Sequence, residues 1–215
     1  MDSIIQNIAI YALPVIFAIT LHEAAHGYVA KHFGDLTAYT QGRVSLNPIR
    51  HIDPLGTIIL PVVTLMLGGI LFGWAKPVPV NFSALRHPKQ DMLWVALAGP
   101  GANLFMAFVW GFVIKLGLGL PESNLSDPMI LMGEAGIKIN VILMVLNLLP
   151  LPPLDGGRVA VSLLPHRMAD SFAKIEPYGF MILVLLLMTG VLGAVIGPFI
   201  GLTIQMVVWF FGFET

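Results

Sequence analysis

The chain contains a series of apolar runs, several of them about as long as a bilayer is thick, separated by short polar stretches. The hydrocarbon core of a membrane is crossed by about 20 mainly apolar residues in a helix. Runs of that kind lie at residues 4–30, 92–118, 137–151, 179–196 and 199–213, with a shorter run, GTIILPVVTLMLGGILFG, at 56–73. With 57% hydrophobic and only 11% charged residues in 215, the apolar surface exceeds what a soluble core of this size could bury. The expected fold is therefore an all-α membrane protein, a polytopic helical bundle in the lipid bilayer. A net charge of −1 argues against nucleic acid as a partner, and the lack of cysteine excludes disulfides and thiolate metal ligation. The opening MDSIIQNIAIYALPVIF has neither a basic start nor a small-residue cleavage site and reads as a retained helix.

Charge sorts the loops. Lys31, Arg43, Arg50, Lys76, Arg86, Lys89, Arg158, Arg167 and Lys174 are nine of the 11 basic residues, and all lie in three loops. Residues 119–136 carry only acidic charge, at Glu122, Asp127 and Glu134. Positive loops stay in the cytoplasm, so the three basic loops are expected on one side of the cell membrane. That parity requires the 56–73 run to dip in and return as a re-entrant hairpin, helped by Pro61, Gly68 and Gly69. The count is then about five full spans plus one hairpin, with the N-terminus outside and Gly197-Pro198 as the turn between the last two spans. With no internal repeat and no long linker, residues 1–215 read as one membrane-embedded domain. The alternating segment Thr40–Asn47 is expected to form a short β-strand on the cytoplasmic side. It and Lys76–Asn81 could offer backbone groups to an unwound peptide, as in strand addition.

The first apolar run contains His22, Glu23 and His26 in the order HEAAH. Residues four apart lie on one helical face, so both imidazoles can reach one ion, with Glu23 beside them as a general base. H-E-x-x-H on a helix is the zinc-hydrolase pattern. Ionisable groups in a membrane helix are costly, and point to function rather than to a chance match. Catalytic zinc uses three protein ligands and an open position. His32, His51, His87 and His166 fall in polar loops and are expected to be solvated. Asp155, in NLLPLPPLDGG, is the better third ligand; its other reading is a turn residue capping the next segment. Topology favours the ligand, because the helices at 4–30 and 137–151 both run from outside to inside and end at one depth. Asn103 and Asn147 are candidates for binding substrate or an oxyanion, or else for joining helices through hydrogen bonds.

HEAAHGYVAKHFGD (22–35), AGPGAN (98–103) and NLLPLPPLDGGR (147–158), in this order, resemble the site-2 protease family of intramembrane metalloproteases. GRVSLNPIRHIDPLGT (42–57) and GWAKPVPVN (73–81) look like its small bacterial subgroup, which carries no PDZ or cystathionine-synthase-like domain. The resemblance implies one Zn2+ per chain held by His22, His26 and Asp155, with Glu23 as catalytic base. It also implies a catalytic core of the helices near 4–30, 92–118 and 137–151. The substrates it implies are single-pass membrane proteins or signal-peptide remnants, cut near the cytoplasmic face. A zinc transporter is the competing class, but it has no need of a glutamate directly after the first histidine and usually shows inverted repeats.

Overall fold

In the computed structural model, residues 2–59, 76–120 and 123–213 are described. Six helices account for most of them: α1 (Asp2–His32), α2 (Pro88–Leu118), α3 (Ser126–Asn147), α4 (Asp155–Leu163), α5 (His166–Ala173) and α6 (Glu176–Met188). A seventh long helix, α7 (Val191–Phe211), closes the chain, and a single helical turn covers Thr37–Thr40. Short 3₁₀ turns at Pro48–His51 and Phe82–Ala84 and a π-helical turn at Pro54–Ile59 complete the described elements. Among the described residues, four helices are long and apolar enough to cross a membrane, at Ile8–His32 and in α2, α3 and α7, or up to five if the pair α5–α6, bent by 63°, is one span. The protein is a multi-pass membrane protein.

The helices α1, α2 and α3 pack on one another, and α4 docks against α2. Between α2, α3 and α7 lies the main core, built from Met106, Trp110, Ile114, Val141, Met144 and Val207 among others. Because α2 runs against α1 and α3, the second half of α1, the first half of α2 and the end of α3 meet at one end of the bundle. A smaller cluster of Ala30, Leu85 and Val95 seals that end. At the opposite end, Lys115 Nζ donates to Phe211 O at 3.0 Å, so α2 and α7 finish together.

Several expectations are corrected. The third core helix spans Ser126–Asn147 rather than 137–151. Its acidic start at Asp127 suits a helix N-terminus, Glu134 and Lys138 sit exposed one turn apart, and Pro150 keeps the helix from reaching residue 151. Gly197-Pro198 is not a turn but lies inside α7. The break falls at Gly190, whose φ of 75° is open to glycine, and where Thr189 Oγ1 and the Gly190 N–H take the last carbonyls of α6. The hairpin expected at 56–73 falls outside the described residues beyond Ile59.

Among the described residues there is no β-strand, at Thr40–Asn47 or elsewhere. The reason is visible in the hydrogen bonds. Arg43 Nη2 donates to the carbonyls of Lys76 (2.9 Å) and Pro77 (3.3 Å). The Val78 and Asn81 N–H groups go to carboxylates, and Pro77 and Pro79 have none to give. The two segments lie side by side, joined by side chains instead of a ladder.

Candidate metal centre

His22 and His26 are both buried, on the face of α1 that α2 covers. Each ring is fixed from behind. His22 Nδ1 donates to Asn103 Oδ1 at 2.6 Å, and His26 Nδ1 donates to the carbonyl of Val95 at 2.7 Å. A carbonyl oxygen only accepts, so the Val95 bond places the His26 proton on Nδ1. The orientation of Asn103 is set by its own partners. Its Nδ2 donates to Ala18 O (3.2 Å) and to Asn140 Oδ1 (3.0 Å), while Asn140 Nδ2 donates to Gly136 O (2.8 Å). Asn103 must therefore show oxygen to His22, and both imidazoles turn their Nε2 lone pairs the same way. This is how partners behind a ligand fix its tautomer.

The third group arrives from a distant part of the chain. Prolines 150, 152 and 153 prevent α3 from continuing, and α4 starts at Asp155. Gly156 lets that start fold back on the end of α3: a Cβ there would lie 2.3 Å from the carbonyl oxygens of Leu148 and Leu149. Asp155 Oδ2 then stands 3.2 Å from His22 Nε2 and 3.4 Å from His26 Nε2, and the two Nε2 atoms are 3.1 Å apart.

Three lone pairs thus converge on one point, and Oδ2 is buried with no hydrogen-bond donor. Such an arrangement suits a cation. Tetrahedral zinc with bonds of about 2.0–2.2 Å sets its ligand atoms about 3.3–3.6 Å apart, close to the spacing here. Nitrogen and carboxylate donors suit zinc, and His22, His26 and Asp155 form the metal-capable cluster among the described residues. Gly99 on α2 makes the space: its Cβ would lie 2.4 Å from His26 Nε2 and 2.6 Å from His22 Nε2.

A cleft of about 200 Å³ opens beside the three groups. Glu23 and Asn147 line it with Val78, Val80, Phe82 and Arg158. Glu23 Oε2 accepts the Val78 N–H at 2.7 Å. Asn147 gives one amide hydrogen to Leu143 O at 2.9 Å. Asn103, by contrast, lies outside the cleft and has both amide hydrogens bonded to neighbouring helices. Of the loop histidines, His32, His87 and His166 are exposed, but His51 is 2% exposed and bonded to Ser45 O. Sequence reasoning passed over Asn140, although an asparagine inside the apolar run INVILMVLN was a signal. The roles of the Val95 carbonyl and the Val78 N–H had no such mark.

A polytopic helical protein with a helix-borne histidine pair, an adjacent glutamate and a remote carboxylate is of the membrane metallopeptidase class. The model of Peptidase family M50 matches residues 121–190. "Putative zinc metalloprotease YwhC" of Bacillus subtilis is 39% identical over 189 residues, covering 86% of this chain and 83% of that protein. "Putative zinc metalloprotease Rip2" of Mycolicibacterium smegmatis is 34% identical over 204 residues (93% and 71%), and that of Mycobacterium tuberculosis H37Rv is 31% identical over 198 (90% and 70%). No solved structure matches the chain. The chain belongs to Peptidase family M50, the family of the site-2 proteases, as its motifs led us to expect.

Proposed function

We propose that this chain is a membrane-embedded zinc endopeptidase that hydrolyses peptide bonds in or near the transmembrane segments of single-pass proteins or signal-peptide remnants. The observation that carries the proposal is the convergence of His22 Nε2, His26 Nε2 and Asp155 Oδ2, 3.1–3.4 Å apart, at the floor of a cleft that also holds Glu23. His22, His26 and Asp155 hold the metal, one ion per chain. When bound, zinc supplies Lewis-acid polarisation of the scissile carbonyl and lowers the pKa of water. Glu23 accepts the proton of the attacking water and returns it to the leaving amine. Asn147 keeps one amide hydrogen free to donate to the developing oxyanion. Asn103 orients His22 and does not meet the substrate.

The apolar side of the cleft, with Val78, Val80 and Phe82, suits a locally unwound apolar peptide. His26 lies about 9 Å before the end of α1 at a rise of 1.5 Å per residue, so water has a short path from the membrane surface. The loops at this end carry the basic residues Lys31, Arg43, Arg86 and Arg158, which supports a site on the cytoplasmic side of the cell membrane. Residues 1–215 act as one membrane-embedded domain.

The test uses purified protein in proteoliposomes with a fluorogenic transmembrane peptide and elemental analysis for zinc. Wild type is expected to cut the peptide and contain one zinc. Glu23→Gln is expected to lose about 10²–10⁴ in rate while retaining zinc. Full activity in Glu23→Gln would reject the mechanism, and zinc-loaded wild type that moved zinc across the membrane without cutting would support a transporter.

A further inference from the structure

Glu23 follows His22 directly, so helical geometry turns it about 100° away from the metal-facing direction, and something other than α1 must aim its carboxylate. The neighbour that touches it is the extended segment 76–81, KPVPVN, through the 2.7 Å bond from Val78 N–H to Glu23 Oε2. The residues on either side of Val78 cannot replace it as the donor. Pro77 and Pro79 have no N–H, and the Lys76 N–H is bonded to His51 O at 3.0 Å.

The segment is held at both ends. Arg43 Nη2 takes the carbonyls of Lys76 and Pro77, as described for the fold. At the other end the Asn81 N–H donates to Asp35 Oδ2 at 2.7 Å, while Asp35 Oδ1 accepts the Thr37 N–H at 2.9 Å. Asp35 is 1% exposed, just beyond the end of α1. In the middle, Val78 packs on α1 one turn beyond Glu23. At Gly27 an added Cβ would lie 3.0 Å from Val44 Cγ2 and 3.2 Å from Val78 Cγ1. Absence of a side chain at 27 lets the segment come close enough for its N–H to reach the carboxylate.

We infer that the 76–81 segment is a positioning device for the general base: the Val78 N–H holds one oxygen of Glu23 and leaves the other aimed into the cleft. Asp35 and Arg43 act through it as positioning residues. The bond is directional and charge-assisted, and so fixes the rotamer of a side chain that is otherwise free to turn to the cleft mouth. The inference rests on the proposed peptidase function with Glu23 as base.

The test is Val78→Pro, which removes the N–H and leaves an extended residue between two prolines, compared with Val78→Ala, which keeps it. Zinc content, thermal stability, kcat and KM are measured on full-length protein in proteoliposomes. Val78→Pro is expected to lower kcat at least tenfold with KM within threefold, zinc at one per chain and stability near wild type. Val78→Ala is expected to be at least five times more active than Val78→Pro. Should Val78→Pro fail to fold, Asp35→Ala releases the Asn81 end and is expected to show the same fall in kcat with zinc retained. A double variant with Glu23→Asp adds the decisive comparison, since groups that act as one unit are not additive. Val78→Pro, or Asp35→Ala in its place, is expected to lower the residual rate of Glu23→Asp less than threefold. Wild-type kcat in the folded Val78→Pro protein, or full additivity with Glu23→Asp, overturns the inference. Failure of the underlying reading looks different: zinc-loaded wild type would itself not cut peptides.

Discussion

Gly99→Ala isolates the geometry of the metal centre in a single methyl group. The added Cβ would stand 2.4 Å from His26 Nε2 and 2.6 Å from both His22 Nε2 and His22 Cε1. Relief requires α2 or the imidazoles to move by about half an ångström, an overpacking strain of about 1–3 kcal/mol. The rings cannot yield freely, because His22 Nδ1 is held by Asn103 at 2.6 Å and His26 Nδ1 by Val95 O at 2.7 Å. In the metal-free protein the imidazoles can tip aside at the expense of those bonds. With zinc they cannot, since both Nε2 atoms must stay at about 2.0–2.1 Å from the ion. The strain therefore falls on the loaded state and appears as a loss of affinity of about 5- to 150-fold. The assay is a competition titration against a chromogenic zinc chelator in detergent. Gly101→Ala is the control, on the same helix with nothing within 4 Å of its added Cβ. It is expected to match wild type. Zinc affinity of Gly99→Ala within twofold of wild type would refute the argument that this glycine clears the coordination space.

Three further outcomes are expected. Asp155→Ala leaves two imidazoles as the only protein ligands, and elemental analysis after dialysis is expected to find zinc lost while helical circular dichroism is unchanged. Asn103→Leu removes the acceptor of His22 Nδ1, and a chelator titration is expected to show zinc affinity reduced by about 10- to 100-fold. Asn147→Ala removes the proposed oxyanion donor; kcat is expected to fall by about 10²–10³ with zinc content intact, and a kcat unchanged from wild type would assign Asn147 to helix packing.

The parts of the site that local chemistry dictates were legible in the chain. The spacing of His22 and His26 reads directly because helical periodicity is strict, and Asp155 reads because three prolines end a membrane helix just before it. The span pattern was less legible. Hydropathy treats Gly197-Pro198 as a break, yet a proline removes only one donor from a helix already buttressed by neighbours, and α7 runs through it. Exposed Glu134, read as loop polarity, is on the surface of α3. The expected strand failed for a different reason: alternation in Thr40–Asn47 says nothing about Arg43 reaching across to Lys76 and Pro77. What no local pattern reveals is the layer behind the ligands. The partners of His22 and His26 lie 81 and 69 residues away, and only the packing of α1 on α2 brings them there.

The line of amides from Gly136 O through Asn140 and Asn103 to His22 begins at a backbone carbonyl, which cannot change its polarity. Each amide in turn has one permitted orientation, so the nitrogen of His22 that faces the cluster is settled by the docking of α3 on α2. Assembly of the helices and preparation of the ligand are one event. In such a protein an imidazole would be aligned before any ion arrived.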